Sequence, residues 1–313
     1  MTGRTAVIAI GGNALSPPGE RSTIADQFRH TRESLGPIVD LVLDGWRVVV
    51  VHGNGPQVGD ELHRNEKARS DVAPLPLGVL VAGTAGWIGY MLQQSLENAL
   101  RKAGNPRDVV TVLTQVEVAQ DDPALKDPKK FIGHGLSVVR ARELRAEGQP
   151  VKKDAKGRFR RVVGSPKPLS IHELGTIKLL LDRDAVVIAC GGGGIPIYRD
   201  PVLGLEGVDA VVDKDLAAAV LARELGAELF LILTDVDAVY TGWGTESQRA
   251  IETMTVAEAD RLAADGAFGE GSMGPKVAAA TDYVRRTGGR AIITELSKGR
   301  AAVQGEGGTE IVP

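Results

Sequence analysis

Residues 208–216 read VDAVVDKDL, so that Lys214 and Asp215 follow a short apolar run and precede a helical pattern. A lysine oriented by a neighbouring carboxylate is a device for handling negative charge. Three other apolar runs end in glycine, at Gly11 and Gly12 before Asn13, at Gly53, Asn54 and Gly55 before Pro56, and at the four glycines 191–194. Glycine at a strand end leaves backbone N–H groups uncovered and lets a ligand approach, while a following helix adds its positive end. Such loops suit phosphate or carboxylate. Thr234 and Asp235 end a fourth run of this kind.

Two more lysines stand close after a proline, Lys276 directly in GSMGPK and Lys130 one residue further on in PKKFIG. Phosphoryl transfer spreads negative charge over the moving group, so positioned ammonium groups and a magnesium ion can do most of the catalysis without a covalent step. Taken singly, each lysine reads as a surface residue. Together with the glycine strand ends they make a phosphotransferase the leading class. The two familiar phosphate signatures are missing, with no GxGxxG after the first strand and no GxxxxGK[ST] anywhere, which argues against a dehydrogenase or a P-loop enzyme. His172 and Glu173 begin like a zinc helix, but HELGT lacks the second histidine and the five histidines show no ligand spacing. The single cysteine, Cys190, follows an apolar strand and reads as a packing residue rather than a nucleophile.

These residues need a scaffold, and 313 residues with 43% hydrophobic and 25% charged side chains can bury a full core. The formal charge of -3 offers no electrostatic reason to propose a nucleic-acid or membrane partner. No run approaches a membrane span or signal sequence, and one cysteine fits a reducing compartment, so a soluble cytoplasmic protein is expected. Apolar runs at 5–10, 47–51, 109–114, 185–189, 229–233, 290–294 and 310–312 predict strands. Helical patterns lie between them at 24–43, 57–69, 77–103, 173–181, 214–225 and 274–286, with capping signals at Thr23/Asp26 and Thr255/Glu258. Gly83, Gly86 and Gly89 at spacing three suit close helix packing, within the subunit or between subunits. Residues 121–168 are rich in Lys, Arg and Pro, with a hairpin around Lys156 and Gly157, and read as a protruding insertion. Its basic residues Lys152, Lys153, Lys156, Arg158, Arg160 and Arg161 read as solvated hairpin charges. The alternation predicts an α/β fold with a doubly covered parallel sheet and ligands at the carboxyl ends of its strands.

In the stretches AIGGNAL, VHGNGPQVG, GWIGYMLQQ, SPKPLSI, IACGGGGIP, VDKDLAA, LTDVDAVY, GSMGPKV and GTEIVP the chain resembles the carbamate kinases of the amino acid kinase family, from first strand to last. The resemblance implies a three-layer α/β/α sandwich with an open, mainly parallel sheet. It implies a substrate-side lobe over about 1–181, the insertion at about 121–168 acting as a lid, and a nucleotide-side lobe over about 182–313. The activity implied is reversible phosphoryl transfer between ATP and carbamate, giving ADP and carbamoyl phosphate, in a homodimer. Gly11, Gly12, Asn13, Gly53, Asn54 and Gly55 would hold the substrate through backbone and amide donors. Lys214 and Lys130 would neutralise the transferring group and Asp215 would orient the lysines. Lys276, Thr234, Asp235, Tyr240, Met273 and Gly274 would serve the nucleotide, with Mg2+ sitting mainly on its phosphates and no protein ligand to the metal.

The chain departs from that pattern in three places. Residues 83–85 read GTA where an MSQ-like segment is usual, FIGHGL follows Lys130 where PIGPFY is usual, and Glu270 stands where proline is frequent. Two alternatives are an enzyme of the same fold acting on another small acid and a nucleotide sensor without chemistry. The joint presence of Lys130, Lys214, Asp215 and Lys276 argues against the sensor.

Overall fold

The computed structural model describes residues 3–16, 23–269 and 273–313; Glu270 and the GEGS portion around it thus lie outside the described residues in part, at 270–272. The main sheet has eight strands: β1 (Thr5–Ile10), β2 (Arg47–His52), β3 (Val109–Thr111), β4 (Val186–Ile188), β5 (Leu229–Thr234), β6 (Thr253–Thr255), β7 (Arg290–Glu295) and β8 (Thr309–Val312). Their spatial order is β6-β8-β7-β5-β1-β2-β4-β3, parallel throughout except for the antiparallel β7/β8 pair. In the central strands every apolar position is buried, because helices cover both faces. The period of two divides them: Val7, Ala9, Val49, Val51, Phe230 and Ile232 belong to one core. Ala6, Ile8, Ile10, Val48, Val50 and Leu231 belong to the core on the opposite face.

From β1 the chain moves to β2 on one side and later returns to β5 on the other. The connection therefore reverses direction at β1, which opens a crevice at the carboxyl ends of β1, β2 and β5. The predicted glycine loops stand there. The insertion folds as a separate three-stranded sheet, Lys130–Leu136 against Phe159–Val163 against Val151–Lys153, with a small core of Ala141, Leu144 and Val151. Three of the six basic side chains named above form ion pairs, Lys152 with Asp127 at 3.1 Å and Arg158 with Asp154 at 2.7 Å within the insertion, and Arg161 with Asp209 at 3.2 Å beyond it.

Several boundaries differ from expectation. The helix foreseen over 24–43 is two helices, Ile24–Glu33 and Gly36–Leu43, because Pro37 has no N–H to continue the ladder. Both capping boxes form. The third strand stops at Thr111, after which Gln115–Val118 joins Pro168–Ile171, Ile195–Asp200 and Gly204–Gly207 in a four-stranded sheet absent from the sequence reading. The glycine row on the long helix Leu77–Lys102 divides. A Cβ on Gly89 would stand 2.2 Å from Thr111 Cγ2, whereas one on Gly83 or Gly86 would meet nothing within 4 Å. Among the described residues, no helix is long and apolar enough to cross a membrane.

Candidate active site

The helix Lys214–Leu225 starts with Asp213 as its cap, whose Oδ1 accepts from the Asp215 N–H at 2.9 Å and the Leu216 N–H at 3.4 Å. This cap fixes the first turn, so Lys214 and Asp215 leave the helix at the crevice. Asp215 is only 3% exposed, and each of its oxygens holds a lysine: Lys214 Nζ donates to Oδ1 at 2.5 Å and Lys276 Nζ to Oδ2 at 3.3 Å. Lys276 comes from the helix Met273–Thr287, and Pro275 in its first turn needs no N–H acceptor there. A buried carboxylate between two ammonium groups keeps both charges at fixed positions, and removing it would take away the charge they share.

Lys130 arrives from the insertion. Its Nζ donates to Asp213 Oδ2 at 3.3 Å, so one aspartate both caps the helix and receives the third lysine. Burial alone would raise the Asp213 carboxyl, but the nearby Lys130 and Lys214 charges and the Asp215 N–H together hold it below the ordinary carboxylate range. Asp213 was not foreseen, although an aspartate directly before a helical run is a capping signal.

The glycine loops converge as expected. Gly53 is required by proximity, since a Cβ on it would stand 2.7 Å from Gly12 N and 3.2 Å from Lys214 Cδ. A cavity of about 310 Å³ is lined by Gly12, Gly53, Asn54, Gly55, Lys130 and Lys214, with Asp213, Asp215, Arg160 and Lys276 also at its wall. A second cavity of about 440 Å³ is lined by Gly11, Thr234, Asp235, Tyr240, Met273 and Trp243. Gly12, Lys214 and Lys276 line both, so the two cavities meet at these three residues. Tyr240 and Trp243 meet edge to face at 5.3 Å between ring centroids, and the Tyr240 hydroxyl donates to Asp237 at 2.7 Å.

Gly274 lines neither cavity; its N–H donates to Gly269 O at 3.1 Å at the mouth of the second. Asn13 lies in the short turn Gly12–Ala14, and its side chain is outside the described residues. Arg160, expected as a solvated hairpin charge, stands at the first cavity instead, and Thr84 is legible in the sequence only as part of a departing segment. Arg160 donates to Gly133 O at 3.1 Å and 2.8 Å from Nε and Nη2, tying together the two insertion strands that border the first cavity. Thr84, within the departing GTA segment, accepts from Asn54 Nδ2 at 2.9 Å.

Other candidates resolve into structural roles. Glu173 accepts from the Gln115 backbone at 2.7 Å and from its side chain at 2.9 Å. Cys190 is fully buried, with its N–H on Thr114 Oγ1 at 2.9 Å, and burial raises its thiol far above the ordinary range, so it supplies no thiolate. Among the described residues no group of three or more His, Cys, Asp or Glu side chains could hold a metal ion.

Residues 4–295 match the amino acid kinase family. The carbamate kinase of Pyrococcus furiosus is 41% identical over 314 residues, covering 99% of this chain and 100% of that protein. The carbamate kinase of Halobacterium salinarum is 45% identical over 311 residues, with 98% of each chain covered. Among solved structures, carbamate kinase from Giardia lamblia bound to AMP-PNP superposes with a TM-score of 0.93 at 38% identity, over 99% of both chains. Identity of this extent over the full length, on the same fold, means that the chain belongs to the amino acid kinase family, among its carbamate kinases.

Proposed function

We infer that the protein is a carbamate kinase, transferring a phosphoryl group reversibly between ATP and carbamate. The observation that carries the reading is the junction of two cavities at Gly12, Lys214 and Lys276, with Asp215 gripping both lysines. The nucleotide occupies the cavity of Thr234, Asp235, Tyr240 and Met273, with Gly274 at its edge, and carbamate occupies the cavity of Asn54 and Lys130. Gly11, Gly12, Asn13 and Gly55 supply backbone donors at the join, while Gly53, whose own N–H donates to Ile10 O at 3.0 Å, lets the two loops approach. A carbamate oxygen attacks the γ-phosphorus, the bond to the β,γ-bridging oxygen breaks, and ADP leaves with that electron pair. Lys214 and Lys276 stand where the charge moves, and Lys130 approaches from the acceptor side.

Magnesium fits this site as a companion of the nucleotide. Asp215 has both oxygens on lysines and Asp213 is engaged with Lys130 and the helix start, so the donors left for a hard cation are chiefly phosphate oxygens and water. When bound, the ion would offset phosphate charge that the lysines leave uncovered. The chain divides by role into a substrate side over about 1–181, with the insertion 121–168 as its lid, and a nucleotide side over about 182–313. A homodimer through the long helix is supported by the open face around Gly83 and Gly86, flanked by exposed Val79 and Tyr90.

The test is the reverse reaction. Purified protein with magnesium, ADP and carbamoyl phosphate forms ATP, and the Lys214→Ala protein forms it orders of magnitude more slowly. Absence of ATP formation above that control refutes the reading.

A further inference from the structure

We propose that Asn54 presents its carbonyl oxygen, not its NH2 group, to the bound substrate and thereby reads the carbamate amino group, with Thr84 as the residue that sets this orientation. The inference rests on the carbamate kinase reading and adds the element that separates carbamate from carboxylates of the same size.

The orientation follows from one hydroxyl proton. Thr84 Oγ1 lies 3.0 Å from Leu80 O and 2.9 Å from Val81 O, so its proton is directed back into the long helix. With that proton on the helix, the same oxygen accepts from the Asn54 NH2 group, 2.9 Å away. The Asn54 atom facing it is the NH2 nitrogen, an orientation in which Thr84 bonds both the helix and the amide. Asn54 is 4% exposed and lines the acceptor cavity. Its amide plane lies against Gly192, whose φ of +69° and missing side chain make room: a Cβ there would stand 2.3 Å from Nδ2 and 2.8 Å from Oδ1. Among the described residues no donor reaches Asn54 Oδ1, which is left as an acceptor in a cavity otherwise supplied with lysines and backbone N–H groups.

Carbamate and acetate have the same charge and nearly the same shape, and differ by NH2 against CH3. The lysines and N–H donors serve the carboxylate or phosphate of either. A nearly buried acceptor is satisfied by an amino group and stranded by a methyl, and a site built to hydrogen-bond a substrate N–H strongly rejects the analogue that lacks it. The expected amide donor at Asn54 is thus replaced by an acceptor, and Thr84 acts as a positioning residue that does not touch the substrate.

The experiment compares carbamoyl phosphate with acetyl phosphate as phosphoryl donors to ADP in the presence of magnesium. Acetyl phosphate is measured both as donor and as competitive inhibitor, so that discrimination is defined even where its turnover is slow. Thr84→Val keeps the shape of the side chain but removes the acceptor, freeing the amide to turn. Its preference for carbamoyl phosphate is expected to fall about tenfold through the carbamoyl phosphate value alone, with acetyl phosphate kcat/KM or Ki within about twofold of wild type. Thr84→Ser restores the preference, and Asn54→Ala lowers it independently should Thr84→Val fail to fold. A Thr84→Val protein whose preference is unchanged, or whose two donors weaken in step, overturns the inference and leaves the kinase reading standing. A wild-type protein that uses neither donor removes the kinase reading and this inference with it.

Discussion

Asp213 joins the insertion to the helix Lys214–Leu225: its Oδ2 receives Lys130 Nζ at 3.3 Å while its Oδ1 caps that helix. Two functions on one side chain can be separated by substitution. Asp213→Asn keeps a good cap and loses the charge that holds Lys130. Turnover should fall about 10-fold to 100-fold with little change in stability, whereas Asp213→Ala should also lose roughly 1 kcal/mol in urea unfolding. Equal stability loss in both variants would show that the charge pair, not the cap, supports the fold.

Asp215 carries a heavier structural duty. Both Lys214 and Lys276 rest on it in a nearly solvent-free setting, so Asp215→Asn removes the negative charge that the two ammonium groups share. Breaking a buried ion pair on one side costs about 3–5 kcal/mol, and part of that should appear as a lowered Tm. Added ADP with magnesium should recover more Tm in this variant than in wild type, because the phosphates supply the missing negative charge. A variant with unaltered Tm and kcat would mean that the lysines do not depend on Asp215.

The parts of this arrangement that the sequence disclosed are local. Continuous apolar runs such as TAVIAI, RVVVVH and LFLILT can be satisfied only by burial on both faces, so β1, β2 and β5 were legible with their glycine ends. Strands of three residues, such as Arg249–Ile251 and Thr253–Thr255, carry too short a pattern to be told from loop. Asp213 is legible as a capping residue, an aspartate directly before a helical run, but its bond to Lys130 is not. The Asn54–Thr84 bond is not legible, because the partners stand 30 residues apart and meet only through the packing of the long helix. The Lys130–Asp213 pair is not legible either, although Lys130 itself is, because the insertion sheet delivers that lysine to a residue 83 positions later in the chain.

Lys130 lines the acceptor cavity and is absent from the wall of the nucleotide cavity, whereas Lys276 lines both. Lys130→Ala should therefore reduce kcat by about 10²-fold or more while ADP affinity, measured by calorimetry, stays within about twofold. Lys276→Ala should lower both quantities. Loss of ADP affinity in the Lys130 variant would place that lysine on nucleotide phosphates instead.

His52 closes β2 directly beneath the acceptor loop, fully buried, with Nδ1 3.0 Å from Gly53 O. Burial chiefly, with the Lys214 charge adding to it, pulls its imidazolium down from 6.5 to about 4, against the opposing pull of the Gly53 and Ala85 backbone. The neutral ring donates from Nδ1 to the Gly53 carbonyl and so steadies the loop that carries Asn54. The folded pKa lies below the unfolded one, so between pH 6.5 and about 4 the unfolded chain binds more protons at this residue. Its contribution is fully present above pH 6.5 and is lost as pH falls through about 4, a change on the order of 3 kcal/mol. Urea unfolding from pH 7 to pH 4 should therefore show a steeper loss for wild type than for His52→Asn, whose amide keeps a donor near Gly53 O but does not titrate. Since all carboxylates are common to both proteins, the difference in slope isolates the imidazole, and parallel slopes would mean that His52 gains its proton as readily in the fold as in water.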